Sequence, residues 1–179
     1  LTVICTTDAN HLRAVLRASL SHEKPMFIRL GRGRDPEVYA DVPEIEIGKA
    51  IRLREGKDLT LITTGAQVHA CLEAADALAE KGIETRVVDM HTIKPLDVAE
   101  IQAAAAETSA ILAVEEHNII GGLGSAVAEV LVDCDRVPFR RHGIDDEFVL
   151  IGPPAGLYSH YRLDAPGVRD VALELLGRA

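Results

Sequence analysis

From Gly56 onward the sequence keeps returning to one pattern: a short aliphatic, β-branched run, a polar break, then apolar residues at helical intervals. Residues 59–64 (LTLITT) form the first run. Behind them Val68, Cys71, Leu72, Ala75, Leu78 and Ala79 recur at helical spacing up to Gly82, which suits a helix C-cap. Residues 83–90 read as the next strand, and HTIKPLD as a loop whose Asp97 caps an Ala-rich helix over 98–107. A strand over 110–115, a helix over 124–133 and a shorter strand over 137–141 follow. Asp164 caps a last helix with Val168, Val171, Ala172, Leu175 and Leu176 on one face. Strands separated by single helices must run mostly parallel, because right-handed crossovers place helices over both faces of one sheet. The expected class is α/β, a three-layer α/β/α arrangement around a mostly parallel sheet.

The beginning of the chain reads differently. A short strand over 1–6, a helix over 10–21 capped by Asp8 or Asn10, and a strand over 25–30 lead into GRGRDPEVYADVP (31–43), a loop-like candidate linker. The chain opens at Leu1 inside the strand LTVIC, without an initiator Met, so its real start is expected upstream.

Composition narrows the function classes. With 47% hydrophobic and only 3% aromatic residues, the chain suits helices packed on a sheet rather than disorder. A formal net charge of -9, from 28 acidic against 19 basic residues with no long basic run, argues against nucleic acid and against an acidic membrane surface as partners. Cys5, Cys71 and Cys134 are far apart and odd in number, as in a reduced cytoplasmic protein with buried thiols. No apolar run approaches the roughly 18–20 residues of a membrane span.

VEEHNIIGGLGSAVAE (114–129) admits two readings, a phosphate-cradling loop or glycines that let a helix pack close to a sheet. Six residues, 115–120, separate Val114 from Gly121; the third glycine of a dinucleotide loop is replaced by Val127, and no Gly-Lys-Ser/Thr follows. The second reading therefore has Gly121 and Gly122 in a turn with special backbone angles, and Gly124 with Ser125 opening a helix whose Ala126 and Ala128 allow close packing. Glu115, Glu116 and His117 fall where a parallel strand ends, the edge at which α/β proteins place function; they could serve acid–base chemistry, but with no nucleophile beside them a solvated loop or a subunit contact is the favoured reading. None of the histidines shows a metal-ligand spacing, so no metal site is expected. In FIRLGRGRDP (27–36), Arg29, Arg32 and Arg34 cluster within an otherwise acidic chain, which fits a phosphate or carboxylate site or a surface loop of ion pairs.

Taken in order, FIRLGR, DLTLITTG, EAADALAEKGIETRVVDM, TIKPLD and VEEHNIIGGLGSAVAEVL resemble the C-terminal part of the transketolase family. The resemblance implies that residues 1–43 are the end of a pyrimidine-binding domain plus linker, and 44–179 the C-terminal domain. It implies a complete enzyme that uses thiamine diphosphate and Mg²⁺, neither bound by this chain alone, to transfer two-carbon ketol units between sugar phosphates. No catalytic residue is expected here. The arginine closing the family's LSR or RxPR motif, part of its sugar-phosphate pocket, corresponds to Arg32, with Arg29 and Arg34 as lesser substrate-binding candidates. Glu116, His117, Gly121, Gly122 and Gly124 match a family segment that implies a structural or interfacial role. The partners implied are the missing N-terminal domains or subunit, further copies in a homodimer or higher assembly, and a sugar phosphate substrate. The alternative is an assembly or docking domain of a related 1-deoxyxylulose-5-phosphate synthase or 2-oxo acid dehydrogenase β subunit.

Overall fold

The computed structural model describes residues 1–31 and 36–178. Its larger sheet has five strands in the spatial order β3 (Ile51–Arg54), β5 (Thr85–Asp89), β4 (Leu59–Thr63), β7 (Ile111–Asn118), β8 (Phe139–Ile144). β4 pairs in parallel with both β5 and β7, and β7 with β8, while β3 closes one edge antiparallel to β5. The strand interiors read as unbroken apolar runs because successive side chains serve opposite layers. Leu61, Val87 and Leu112 pack on one side with Cys71, Ala75 and Leu78 of α2 (Gln67–Ala79) and Val168, Val171 and Ala172 of α6 (Ala165–Leu175). Ile62, Val88 and Ile111 face the other way, onto α3 (Val98–Glu107) and α4 (Leu123–Leu131). The three-layer α/β/α architecture expected from the sequence is the one observed. Asp97 and Asp164 cap their helices as expected, accepting from the N–H groups of Glu100 and Gly167.

A second, three-stranded sheet has the order β2 (Met26–Arg29), β1 (Thr2–Cys5), β6 (Thr92–Lys94). β1 and β2 run parallel around α1 (Ala9–Ser19), whose cap is Asp8. β6 lies in HTIKPLD, which the sequence reads as loop; three residues give no period-2 signal, and the strand exists because β1 pairs with it antiparallel. β3 was likewise unread, since IRLR alternates charge on a half-buried edge. β7 runs three residues past Glu115, and the short helix α5 (Pro154–His160) hides in a Gly- and Pro-rich stretch.

Because β6 follows β5 by three positions, the two sheets meet at a polar seam around Asp89, the last residue of β5. The carboxylate is fully buried; its Oδ2 accepts from Thr7 Oγ1 at 2.5 Å and from the Tyr39 hydroxyl at 2.8 Å. His11 Nδ1 lies 3.6 Å from the same oxygen but accepts the Thr7 N–H at 3.2 Å, which puts the neutral ring's proton on Nε2. His91 completes the cluster edge-on to His11, their rings 4.9 Å apart. Burial decides the charges here. It pushes Asp89 up to about 7 and, with the neighbouring His91, His11 down to about 3, while burial takes His91 down to about 4. The His11–Asp89 contact is thus a neutral-imidazole contact rather than an ion pair.

These shifts pull stability in opposite directions. Asp89, raised by the fold, contributes stability that is complete below the ordinary carboxylate range and lost as pH rises through about 7. The two histidines, depressed by the fold, contribute stability that is complete above 6.5 and lost as pH falls through about 4 and about 3. Asp89→Asn removes only the first component. In thermal melts the variant's Tm should gain on the parent's by about 3 °C or more between about pH 5 and about pH 8. A difference that stays constant with pH would show that Asp89 is not neutral in the acidic fold.

Candidate functional site

The carboxyl ends of β4 and β7 are where a parallel sheet of this kind opens toward ligands. β4 leads through Thr64 and Gly65 into α2. Gly65 has φ +63, and a Cβ there would meet Cys5 Sγ at 2.6 Å. Only glycine lets the end of β1 close over this turn. The closure leaves a cavity of about 780 Å³ bounded by the ends of β1 and β2, the first turn of α2, Glu116 of β7 and the wall formed by α5 and its approach. That size suits a small-molecule ligand, and its wall is mainly apolar, with Leu30, Ile144, Val149, Leu150 and Leu157.

The polar groups converge from different elements. Arg29, the last residue of β2, is half-buried and donates from Nη2 to the Glu116 carbonyl at 3.1 Å; its Nη1 lies 3.9 Å from Cys5 Sγ. The arginine thus fastens the small sheet to the large one while still lining the cavity. Gln67, the first residue of α2, is only 2% exposed and lines the cavity, and its Oε1 is buried without a hydrogen-bond partner. Burial pushes the Cys5 thiol up, against the opposing Arg29 charge, so the cavity holds no ready thiolate.

The other residues singled out in the sequence lie in two places. Arg32 and Arg34 fall outside the described residues. Glu116 and His117 are strand residues of β7 rather than loop residues; Glu116 borders the cavity, whereas His117 is exposed, its Nδ1 2.9 Å from the Asn118 carbonyl. The glycine turn beyond them is built around Glu115. This carboxylate is buried at the end of the apolar part of β7 and accepts the N–H groups of Leu123 at 2.7 Å and Gly124 at 2.8 Å. Burial pushes its pKa up, and the two N–H bonds at the start of α4 oppose that.

Gly121 has φ +76, as the turn reading requires, but Gly122 is extended at φ −92. Its need for glycine is steric, because a Cβ there would overlap the Glu115 carboxyl group. The loop binds the chain's own carboxylate in the place where a nucleotide loop would bind phosphate. Sequence reasoning did not single out Gln67, Asp89, His11 or Tyr39; a polar residue at a helix start and an Asp ending an apolar strand carry no local signal of partnership.

A second cavity, of about 500 Å³, opens between α3 and α4 on the other face, lined by Lys94, Glu129 and Asp133 among apolar side chains. Among the described residues no group of three or more His, Cys, Asp or Glu is arranged to hold a metal ion, and no helix is long and apolar enough to cross a membrane.

Residues 48–168 match the transketolase C-terminal domain family. The chain is 41% identical over 175 residues to an apulose-4-phosphate transketolase subunit from Phocaeicola vulgatus, covering 97% of this chain and 56% of that protein. It is 39% identical over 178 residues to 1-deoxy-D-xylulose-5-phosphate synthase of Heliobacterium modesticaldum, covering 98% of this chain and 28% of that one. A solved split-gene transketolase, an inactive β4 tetramer, superposes with TM-score 0.93 at 39% identity over 98% of this chain and 58% of its own. The chain therefore spans about half the length of the subunit-type curated relatives it matches.

The Glu115 turn makes a direct test. Gly122→Ala should destabilise the chain by about 1–3 kcal/mol in urea titration, because the methyl must displace a buried, doubly bonded carboxylate. Gly121→Ala, which meets nothing within 4 Å, should show only the left-handed backbone penalty of about 1 kcal/mol. Equal costs would show that Glu115 does not set the requirement for glycine.

Proposed function

Because the chain belongs to the transketolase C-terminal domain family, we propose that it is the C-terminal portion of a thiamine diphosphate-dependent transketolase that moves two-carbon ketol units between sugar phosphates. The observation that carries this reading is alignment along nearly the whole chain with a transketolase subunit. Residues 1–43 are then the end of the pyrimidine-binding domain with its linker, and 44–179 the C-terminal domain.

When bound in the complete enzyme, thiamine diphosphate supplies the carbanion that cleaves and re-forms the carbon–carbon bond. On this reading the cofactor and its Mg²⁺ are held by the upstream domains or a partner subunit, as the family resemblance implies. This chain's share is to support a dimer or larger assembly and to form one wall of the substrate pocket. Arg32 holds the sugar phosphate, with Arg29 and Arg34 as further cations of the same stretch. A guanidinium fork grips two phosphate oxygens at once, and that remote binding energy orients the sugar for reaction. On this reading the protein works in the cytoplasm.

The match to a 1-deoxyxylulose-5-phosphate synthase favours one alternative, in which the same domain serves assembly of a related enzyme and contributes nothing to the pocket. Arg32→Ala in the reconstituted enzyme separates the two. The pocket reading expects KM for phosphorylated sugars to rise by about tenfold or more, with thiamine diphosphate affinity unchanged. An unaltered KM would leave only the assembly role.

A further inference from the structure

We infer that residues 145–151, with the cavity wall they help to form, are a docking surface for a different polypeptide, one that presents an apolar stretch flanked by lysine or arginine.

Residues 145–156 are exposed without a break, and Phe148, Val149, Leu150 and Ile151 follow one another inside that run. Phe148 and Ile151 are fully exposed, and Val149 and Leu150 are each 54% exposed. The other exposed large hydrophobic residues, among them Val98, Ile120 and Val132, stand singly in the sequence. Scattered residues of that kind are ordinary on a monomer, whereas a contiguous patch of a few hundred Å² marks an interaction site. The fold holds this patch in place without covering it. β8 delivers the segment at Ile144, the Leu150 N–H donates to the Tyr161 hydroxyl at 3.1 Å, and α5, which follows, buries none of its residues. The patch is also continuous with the cavity of about 780 Å³, which Val149 and Leu150 line together with Leu30, so an apolar side chain of the occupant has a place to enter.

Charge decides what that occupant is. Residues 142–161 contain Asp145, Asp146 and Glu147 and no Lys or Arg. Asp146 accepts from the neutral Asn118 amide at 2.8 Å, and among the described residues none of the three carboxylates is in an ion pair. The cations that flank the segment are engaged elsewhere: Arg140 and Arg162 share Glu174, and Arg141 donates to the Ile119 carbonyl and to Ser125. Where the patch enters the cavity, Glu73, Glu116 and Asp164 outnumber Arg29 among the described lining residues; His69 lies 3.6 Å from Glu73, and Arg29 already donates to the Glu116 carbonyl. A second copy meeting this surface face to face would set the same three carboxylates against each other, and an anionic lipid surface is repelled in the same way. A polypeptide with lysine or arginine beside its apolar residues matches both the patch and its rim.

The inference goes beyond the proposed function, which gives this chain a share in assembly but neither a face nor a partner chemistry. The test is fluorescence anisotropy of a labelled peptide, Leu-Phe-Leu flanked on both sides by lysines, titrated with the full chain. It should saturate, whereas the same centre flanked by glutamates, and Ser-Gly-Ser flanked by lysines, should each bind about tenfold or more weakly. Phe148→Ser and Ile151→Ser change fully exposed positions, so each should keep the parent's Tm and weaken the lysine peptide about tenfold. Asp145→Lys combined with Glu147→Lys should reverse the order of the lysine and glutamate peptides. Asp133→Lys, at the cavity on the other face, should leave that order alone.

Equal affinity for the lysine and glutamate peptides, or an Asp133→Lys effect as large as that of the double variant, overturns the surface, because bulk charge alone is then responsible. Sedimentation velocity in which Phe148→Ser dissociates a homo-oligomer of the parent also overturns it, since the occupant is then a second copy. An oligomeric state untouched by Phe148→Ser, with the peptides in the stated order, sustains it. None of these measurements involves thiamine diphosphate or turnover, so their failure leaves the proposed function standing, and failure of the Arg32→Ala test leaves this surface standing.

Discussion

A single buried carboxylate sets how the two sheets of this chain meet. Asp89 ends the β-strand that leads into β6, and its Oδ2 collects hydroxyl donors from Thr7 and Tyr39, two residues far away in sequence. A carboxylate at that depth strongly disfavours charge, and the donors to its Oδ2 are neutral hydroxyls with no cation among them. The seam is consequently specific without being ionic. Asp8 extends it outward, accepting the N–H groups of Val38 and Tyr39 at 2.8 Å each, so the helix cap of α1 also fixes the chain that follows the small sheet.

Everything at the candidate site inherits its geometry from this seam and from the direction of the large sheet. Parallel strands bring the starts of their following helices to one edge, which is why Gly65, α2 and Glu116 are neighbours. The small sheet then brings β1 and β2 over that edge, and Gly65 leaves just enough room for Cys5. Opposite charges do little of this organising. The Arg52–Glu100 and Arg86–Glu107 pairs lie on the flanks of the sheet, whereas Arg29 beside the cavity is joined to the large sheet through the Glu116 backbone carbonyl and approaches the Cys5 thiol.

Much of the large domain was legible because its signals are local. The periodicities of β4, α2, β5, α3 and α6, and the caps at Asp97 and Asp164, depend on residues a few positions apart, and the observed elements fall within a few residues of the reading. What escaped depends on distant partners. β6 is a strand only because β1 lies beside it, and β3 only because β5 does. The polar half of β7 continues as strand because β8 carries it to Asn118 opposite Ile144, across an irregular register. At the site, Arg29 and Glu116 were visible as charged residues near strand ends, but their mutual contact was not. Gln67 looked like an ordinary polar residue at the start of a helix, and only the walls around it make its amide conspicuous.

The same connectivity couples the cavity to the seam. β2 is an edge strand paired with β1 alone in its sheet, and β1 is held by β6 and by the donors that its following turn sends to Asp89. The position of the Arg29 guanidinium relative to α2 therefore rests on two links, the seam beneath it and its own hydrogen bond to the Glu116 carbonyl of the large sheet.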